Sequence, residues 1–373
     1  MSRLVLLVTS PRVAAGTLSW DAWTALRAGP VFTRDQSSPQ LPALQAAGVE
    51  VEAVDPTWPP VAVARLLRDA ARETGTVTWL AGPAGDEDVG RALGEIATQS
   101  ADAGEQLDVE VLPGSWDLPG ARLLDVVATM DRLRSPGGCP WDAEQSHDSL
   151  APYLLEEAYE AFQAIEDEDA AGLREEIGDV LLQVAFHSRL AEEREDETRW
   201  TIDDVAAGLV AKLVRRHPHV FGERTVSGAD EVVANWDQIK AEEKAGRSAV
   251  GGVPLSMAAL TLAATLQRKA AKLGVPVELV VPELLAAETP GAAVAAAAAH
   301  YESAPGVESA GQLLWAVVAA MRADDVDAES ALRGRSRSFR DQLDGVEEAV
   351  REAGLDPAAL DAGEWRRRWP EES

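Results

Sequence analysis

The sequence has few of the residues that build disulfides, membrane spans or nucleic-acid surfaces. Its single cysteine, Cys139, excludes an intramolecular disulfide and fits a reducing compartment, so we expect a cytoplasmic protein. No apolar run is long enough to span a membrane, and the alanine-rich segment 286–299 is interrupted by Glu288 and Pro290. Basic residues number 34 against 63 acidic ones, and the net charge of −29 disfavours a nucleic-acid partner.

Apolar material is sufficient for real cores. Hydrophobic residues make up 46% of the 373 positions, which predicts two or three folded domains. The apolar run Leu4–Val8 is too short for a signal-peptide core and predicts a strand. Cys139 in Cys-Pro-Trp could be a nucleophile, but no base partner is identifiable, so we interpret it as structural.

The first part of the chain alternates strand and helix patterns. Apolar and β-branched runs at 4–8, 30–33, 49–54, 76–82 and 107–112 are separated by helical patterns, which predicts a small, mostly parallel α/β domain over 1–115. The loop Gly82–Asp86 follows a strand and precedes a helix, where α/β folds bind ligands. It lacks the three-glycine phosphate fingerprint, so a plain connecting loop is favoured over a ligand site.

Two acidic patterns dominate the middle of the chain. They are Glu156-Glu157-x-x-Glu160 and Glu176-x-x-Asp179, on two predicted helices joined by a turn near 168–172. Residues three apart lie within one helical turn, so each pattern offers a pair of carboxylates. In an antiparallel hairpin, four carboxylates therefore converge: Glu157, Glu160, Glu176 and Asp179.

Acidic residues on helices are usually a solvated face, but the surroundings here favour partial burial. Leu150, Leu154, Ala161 and Ile165 form an apolar stripe that includes Glu157, and the segment 177–186 is apolar around most of its circumference. Buried carboxylates that face one another need compensating positive charge. Because all-oxygen ligands suit hard cations, we expect Mg²⁺, with Mn²⁺ as a substitute.

A family resemblance rests on these residues and their neighbours. The segments CPWDAEQSHDSLAPYLLEEAYEAFQAI, LREEIGDVLLQVAFHSRLAEE and NWDQIKAEEK resemble the MazG family of nucleoside triphosphate pyrophosphohydrolases, over roughly 123–244. The resemblance implies a helical bundle in which the four convergent carboxylates bind the metal. It further implies hydrolysis of nucleoside triphosphates to monophosphate and pyrophosphate. The N-terminal part more weakly resembles half of a tetrapyrrole methylase, a domain that is fused to MazG domains elsewhere.

Substrate-binding residues are expected downstream of the acids. Lys212 and Arg216 share a helix face, and the resemblance implies that they bind the triphosphate, although paired cations are usually solvated. Trp236 and Lys240 also share a face; the ring could stack on a base or pack in the bundle. Glu156 is the candidate that orients or deprotonates the attacking water. His217 and His219 make a poor zinc site and are interpreted as loop structure.

From Val253 the chain resembles a second, degenerate copy of the helical repeat. Aligning Gly178 with Gly311 places Ser309 and Gln312 where Glu176 and Asp179 stand, so this repeat is expected to hold no metal. The predicted organisation is mainly α: an α/β domain at 1–115, a catalytic MazG-type bundle at 121–248, the degenerate repeat at 253–345 and a charged tail at 346–373. The apolar segment 177–186 predicts a homodimer, unless the second repeat covers it.

Two other functions are alternatives to nucleotide hydrolysis. A di-iron bundle requires Glu-x-x-His pairs, but Gln163 stands three residues after Glu160. A nucleotide-sensing regulator with weak or no hydrolase activity is the remaining alternative, because one repeat is degenerate and an extra domain precedes the bundle. The leading hypothesis is an Mg²⁺-dependent nucleoside triphosphate pyrophosphohydrolase that removes unwanted nucleotides from the cellular pool.

Overall fold

A computed structural model describes residues 2–102, 105–243, 248–285, 287 and 289–370. The chain divides into two compact units, residues 1–213 and 214–373, which are described separately. Helices dominate both units, and one small sheet lies near the N-terminus, so the predicted mainly α chain with an α/β beginning is confirmed. The four domain ranges expected from the sequence stay predictions.

The sheet contains five strands in the order β3-β2-β4-β1-β5. They are β1 (Ser2–Val8), β2 (Val31–Thr33), β3 (Val51–Ala53), β4 (Thr76–Leu80) and β5 (Leu107–Pro113), and every pairing is parallel. The connecting helices are α1 (Trp20–Ala28), α2 (Gln40–Ala46), α3 (Pro60–Thr74) and α4 (Glu87–Asp102). Strand–helix alternation therefore gives the parallel sheet that the sequence predicts.

Helices cover both faces of this sheet. In β1, Leu4 and Leu6 belong to the core cluster that contains residues of α3 and α4, whereas Val5 and Leu7 belong to the cluster with residues of α1 and α2. A central strand that is buried on both faces has to be apolar at every position, which explains the run Leu4-Val5-Leu6-Leu7.

The loop Gly82–Asp86 is closed by its own hydrogen bonds. Asp86 is buried, and its Oδ2 accepts from Trp79 Nε1 at 2.9 Å and from the Gly82 amide at 3.1 Å, while Arg34 pairs with its Oδ1 at 2.8 Å. The carboxylate thus satisfies three donors of the fold. These contacts give the loop a structural role at the end of β4.

Five helices complete the first unit and enter the second. They are α5 (Arg122–Arg134), α6 (Pro140–Glu144), α7 (His147–Glu166), α8 (Ala170–Glu192) and α9 (Ile202–Arg216), of which the last three residues of α9 belong to the second unit. Met130, Leu150, Ala185 and Phe186 form the core that joins α5, α7 and α8. The Thr201 side chain caps α9 by accepting a hydrogen bond from the Asp204 amide at 3.4 Å.

The apolar stripe of α7 is only partly covered within the chain. Leu150 and Ala161 are buried, but Leu154 is 40% exposed and Ile165 is 56% exposed. The half-buried Glu157 agrees with the partial burial expected for this stripe, whereas Leu154 and Ile165 lie on its uncovered side. The physical reason is that α8 packs along one side of α7 and leaves the other side open.

The second unit is helical throughout its described part. Its helices are α10 (Pro218–Phe221), α11 (Ala229–Glu243), α12 (Ala259–Lys272), α13 (Val277–Val280), α14 (Pro290–Ser303), α15 (Val307–Ala323), α16 (Ala328–Glu352) and α17 (Ala362–Arg368), with short 3-10 turns at Pro282–Leu285 and Pro357–Ala359. Helix α16 continues across the boundary expected at 345/346, and α17 lies within the expected tail. His217 and His219 border or enter α10, a short helix rather than the expected loop.

The hairpin of α14 and α15 occupies the place of the predicted second repeat. Ser309 lies in the first turn of α15, whereas its aligned counterpart Glu176 lies in the second turn of α8. Ser309 is buried and donates from Oγ to the carbonyl of Ala304 at 2.7 Å. Gln312 is exposed. The aligned positions are therefore present in α15, but neither of them carries a carboxylate.

Candidate active site

The helical hairpin α7–α8 places the acidic residues opposite one another. The turn is shorter and earlier than predicted, because α7 ends at Glu166 and α8 begins at Ala170. Glu168 adopts a left-handed φ of 55°, and Asp169 caps α8 by accepting from the amides of Ala171 and Gly172, both at 3.0 Å. Glu157 and Asp179 are each eleven residues from Glu168, so the antiparallel register brings them level.

Three of the four predicted metal ligands form one cluster. One carboxylate oxygen each from Glu157, Glu176 and Asp179 lies within 4.8 Å of the others, and all three side chains are half-buried. Glu160 is outside this group and is exposed, although its charge acts on both Glu157 and Glu176. Glu156 is exposed as well. The hairpin thus presents a three-carboxylate centre with a fourth acid close by.

Burial and mutual repulsion both raise pKa values in this cluster. Desolvation raises the pKa of Glu157, and the charges of Asp179, Glu160, Glu156 and Glu176 raise it further. The pKa of Glu176 is also raised, first by desolvation and then by Glu160 and Asp179. A purely solvated acidic face would spread its charges apart; here three carboxylates converge. A divalent cation would remove this repulsion, and the all-oxygen donor set fits a hard cation.

The predicted cationic and aromatic residues also occupy defined positions. Arg216 lies 5.8 Å from the centre of the Trp236 ring, measured from its guanidinium carbon. Its Nη2 is 2.6 Å from Glu243 Oε2, and Arg215 pairs with the same carboxylate at 2.7 Å. Lys212 is exposed on α9. Lys240 lies in α11, but its side chain is outside the described residues.

The Glu243 carboxylate is strongly stabilised in its charged form. Hydrogen bonds from Arg216 and Arg215 lower its pKa to about 2. The Trp236 ring also faces His217, with ring centres 6.4 Å apart. Trp236 therefore packs against an arginine and a histidine of its own unit, which corresponds to the packing alternative considered from the sequence. This contact leaves a role in base stacking as a proposal.

Sequence reasoning missed a pair of histidines on the same hairpin. The Nδ1 atoms of His147 and His187 are 2.8 Å apart, and the rings stack in parallel. Burial lowers the pKa of His187, and the charge of His147 lowers it further. The two positions are almost symmetric about the 167–169 turn, as the acidic pairs are. The sequence signal that could have found this pair is therefore the similar distance of the two histidines from the turn.

Arg134 is a second residue that the sequence did not single out. Its side chain is only 5% exposed, and its Nε and Nη2 donate to the two carboxylate oxygens of Glu193, each at 2.7 Å. The guanidinium carbon also lies 5.4 Å from the centre of the Phe186 ring, and Nη1 donates to the carbonyl of Asp142. Arg134 therefore joins α5, α6 and α8 behind the hairpin.

Comparison with known proteins agrees with this architecture. The family model described as the MazG nucleotide pyrophosphohydrolase domain matches residues 145–221, which contain the whole acidic hairpin. A Streptomyces cacaoi protein, described only as an uncharacterized 26.1 kDa protein in the blaB 3' region, is 47% identical over 64% of this chain and 88% of its own length. The nucleoside triphosphate pyrophosphohydrolase of Escherichia coli is 38% identical over 66% of this chain and 94% of its own length.

A solved structure is also similar in sequence. The crystal structure of a mazG-related protein from Thermotoga maritima is 28% identical, with a TM-score of 0.27, and the match covers 32% of this chain and 96% of that one.

The fold and the site together define a class. A mainly α chain whose helical hairpin turns carboxylates from both helices toward one volume has the arrangement expected of a hydrolase that uses a divalent metal. The chain belongs to the MazG nucleotide pyrophosphohydrolase family. It is therefore an enzyme that hydrolyses acid anhydrides.

Proposed function

We propose that the chain hydrolyses nucleoside triphosphates, ribo- or deoxyribo-, to nucleoside monophosphate and pyrophosphate, and thereby clears unwanted nucleotides from the pool. The observation that carries this proposal is the cluster of Glu157, Glu176 and Asp179 on the hairpin that the family model matches. Relatives at 37% to 39% identity carry the name nucleoside triphosphate pyrophosphohydrolase, which supports the reaction.

Mg²⁺ is the proposed cofactor, with Mn²⁺ as a substitute. Glu157, Glu176 and Asp179 would hold it, and Glu160 is the proposed fourth ligand because its charge already reaches two members of the cluster. When bound, the cation neutralises phosphate charge and makes a water molecule more acidic. The raised pKa values of Glu157 and Glu176 support a site that is built to be neutralised by a cation.

Other residues of the chain would position the substrate and the water. Glu156 directly precedes Glu157 on α7, and its exposed carboxylate is available to orient the attacking water or accept its proton. Lys212, Arg216 and Lys240 are the proposed phosphate contacts, and Trp236 the proposed base contact. The guanidinium of Arg216 already holds one oxyanion, that of Glu243, so it has the geometry to bind a phosphate oxygen.

A homodimer in the cytoplasm is part of the proposal. Large apolar side chains are exposed along the bundle of the first unit, including Leu155, Ile165, Ile177, Leu209 and Val210. Large apolar side chains left exposed in this number support an interaction site. The lone Cys139 supports a reducing compartment. In the described parts of the chain, no helix combines the length and apolarity of a membrane span.

The test is a product assay with a panel of nucleoside triphosphates. Purified protein is expected to release pyrophosphate and the monophosphate in equal amounts when Mg²⁺ is present, and to stop when the cation is chelated. Release of orthophosphate, or turnover that continues in excess chelator, would overturn the proposal. Sedimentation is expected to show a dimer that Val210→Asp converts to monomer, with Glu302→Gln on α14 as a matched surface control.

A further inference from the structure

The second unit contains a cavity that the proposed reaction does not use. It has a volume of about 140 Å³ and lies among α12, α13, α14 and α15. Most of its lining side chains are apolar, and they include Val277, Val281, Leu284, Ala293, Ala316 and Ala319. An apolar space of about this volume can hold an apolar molecule of benzene size. The apolar space therefore suits a body of about six carbon atoms.

One end of the cavity is polar and rigidly built. Gln267 is 1% exposed, and its Nε2 donates to the carbonyl of Trp315 at 3.0 Å. Its Oε1 accepts from Arg322 Nε at 3.3 Å. The indole Nε1 of Trp315 is fixed in turn by the carbonyl of Val280 at 2.7 Å. This chain of hydrogen bonds holds the Arg322 guanidinium at the cavity wall through one of its donors.

The remaining donors of Arg322 are available for a ligand. Within the described part of the chain Arg322 forms no ion pair with a carboxylate, and it also lines a neighbouring space of about 200 Å³. Arg268, Asp325 and Asp327 line that second space as well. Asp327 accepts from the Ser330 amide at 2.7 Å, and this bond lowers its pKa, as does the charge of Arg268. Arg268 and Asp327 therefore bring opposite charges to the lining of the same space.

These features specify a ligand class. A guanidinium offers paired N–H groups that match a carboxylate in two parallel hydrogen bonds. A phosphate dianion fits less well, because Asp325 and Asp327 face the same neighbouring space and add negative charge. We propose that the second repeat binds a small monocarboxylate, with its apolar body of about six carbons in the cavity and its carboxylate on Arg322. This site lies outside the catalytic hairpin and goes beyond the proposed hydrolysis.

The test measures binding to the full chain without nucleotide or metal. The probes are benzoate and 4-methylpentanoate, each paired with its neutral amide, and inorganic phosphate. Calorimetry and thermal shift are expected to show both carboxylates binding in the millimolar range or tighter, as small ligands do. The amides are expected to bind at least about tenfold more weakly, because they lack the charge that Arg322 pairs with. Equal binding of acid and amide, or no binding of either acid, would overturn the proposal.

Variants separate the two halves of the site. Arg322→Gln is expected to weaken carboxylate binding by at least about tenfold, and Arg322→Lys by less. Ala319→Leu is expected to fill the cavity and abolish binding of acids and amides alike. Arg351→Gln, an exposed arginine on α16, is the matched control and should bind as the wild type does. If the Arg322→Gln variant folds and binds the carboxylates as tightly as the wild type, the proposal is contradicted. If this variant does not fold, the comparison of acid and amide binding to the wild type tests the proposal instead.

Failure here is distinguishable from failure of the proposed hydrolysis. The Glu157→Gln variant changes the acidic cluster of the first unit, so it is expected to bind the carboxylates with unchanged affinity. Binding that disappears with Glu157→Gln would show that the probes report on the acidic centre and would overturn the assignment to the cavity.

Discussion

The Nη2 atom of Arg216 lies 2.6 Å from Glu243 Oε2, and its Nε lies 3.3 Å from Glu243 Oε1. Arg215 donates to the same carboxylate from Nε at 2.8 Å. Two of the chain's scarce cations therefore bind an internal anion. In the proposed reaction Arg216 has to exchange this carboxylate for a phosphate of the substrate, so Glu243 competes with the nucleotide.

The variant Glu243→Gln tests this competition. Removing the charge releases Arg216, so we expect KM for the triphosphate to fall by about twofold to fivefold, the range expected for the loss of one ion pair near the surface, with kcat little changed. Steady-state kinetics at saturating Mg²⁺ measures both constants. Glu302→Gln removes the same charge from an exposed site on α14 and should leave KM unchanged. A KM that stays constant or rises in Glu243→Gln would show that Arg216 does not contact the substrate.

Glu157→Gln and Asp179→Asn test the acidic centre. Each is expected to lower kcat by at least about 100-fold, since each removes a ligand charge at the reacting phosphate. Neither should destabilise the metal-free fold, because each substitution removes a negative charge from three converging carboxylates that repel one another. Thermal unfolding in the presence of a chelator measures the stability of the metal-free fold, and pyrophosphate release measures kcat. Glu175→Gln, an exposed acid on α8, is the matched control; lost folding in place of lost activity would indicate a structural role.

The Arg134–Glu193 pair predicts how stability depends on pH. Arg134 lowers the pKa of Glu193 below its usual value of 4.5. Because the folded pKa is below the unfolded one, the stabilisation is complete above about pH 4.5 and is lost as the pH falls through the lower folded value. Arg134→Met is expected to cost about 2 kcal/mol near pH 7, the scale of hydrogen bonds to a charged group. The melting temperature should fall by several degrees.

Two comparisons check this assignment. The gap in melting temperature between wild type and Arg134→Met should narrow when scans are repeated below pH 4. Arg122→Met removes a largely exposed ion pair with Asp125 on the same helix and should change stability by less than about 1 kcal/mol. A gap that does not depend on pH would mean that packing against Phe186, rather than the pair with Glu193, accounts for the loss.

Local patterns predicted much of the fold. Every strand of the sheet was predicted from an apolar or β-branched run, and the signal is strongest in β1, β2 and β4, whose residues are mostly buried. The convergence of Glu157 with Asp179 followed from helical spacing and antiparallel register alone. The turn was predicted too late in the chain. Asp169 was assigned to the loop, whereas it is the N-cap of α8, so the helix begins at Ala170.

Contacts between distant elements could not be predicted in this way. Arg134 and Glu193 are 59 residues apart, and no periodicity links a residue at the end of α5 to one at the end of α8. The position of Glu160 outside the three-carboxylate group depends on side-chain rotamers, which spacing does not determine. The pairing of Arg216 with Glu243 was missed as well, because it joins residues of two different helices, α9 and α11.

The last prediction concerns the number of catalytic centres per chain. In the described part of the second unit no group of three potential ligands converges, and Ser309 and Gln312 stand at the positions aligned with Glu176 and Asp179. Mg²⁺ needs anionic oxygen ligands to compete with its hydration shell, which a serine and a glutamine do not supply. The double variant Glu157→Gln, Asp179→Asn is therefore expected to lose all pyrophosphate release, whereas Ser309→Ala with Gln312→Ala should keep wild-type kcat. Residual metal-dependent turnover in the first variant, after its folding has been verified by circular dichroism, would show that a second centre exists in the chain.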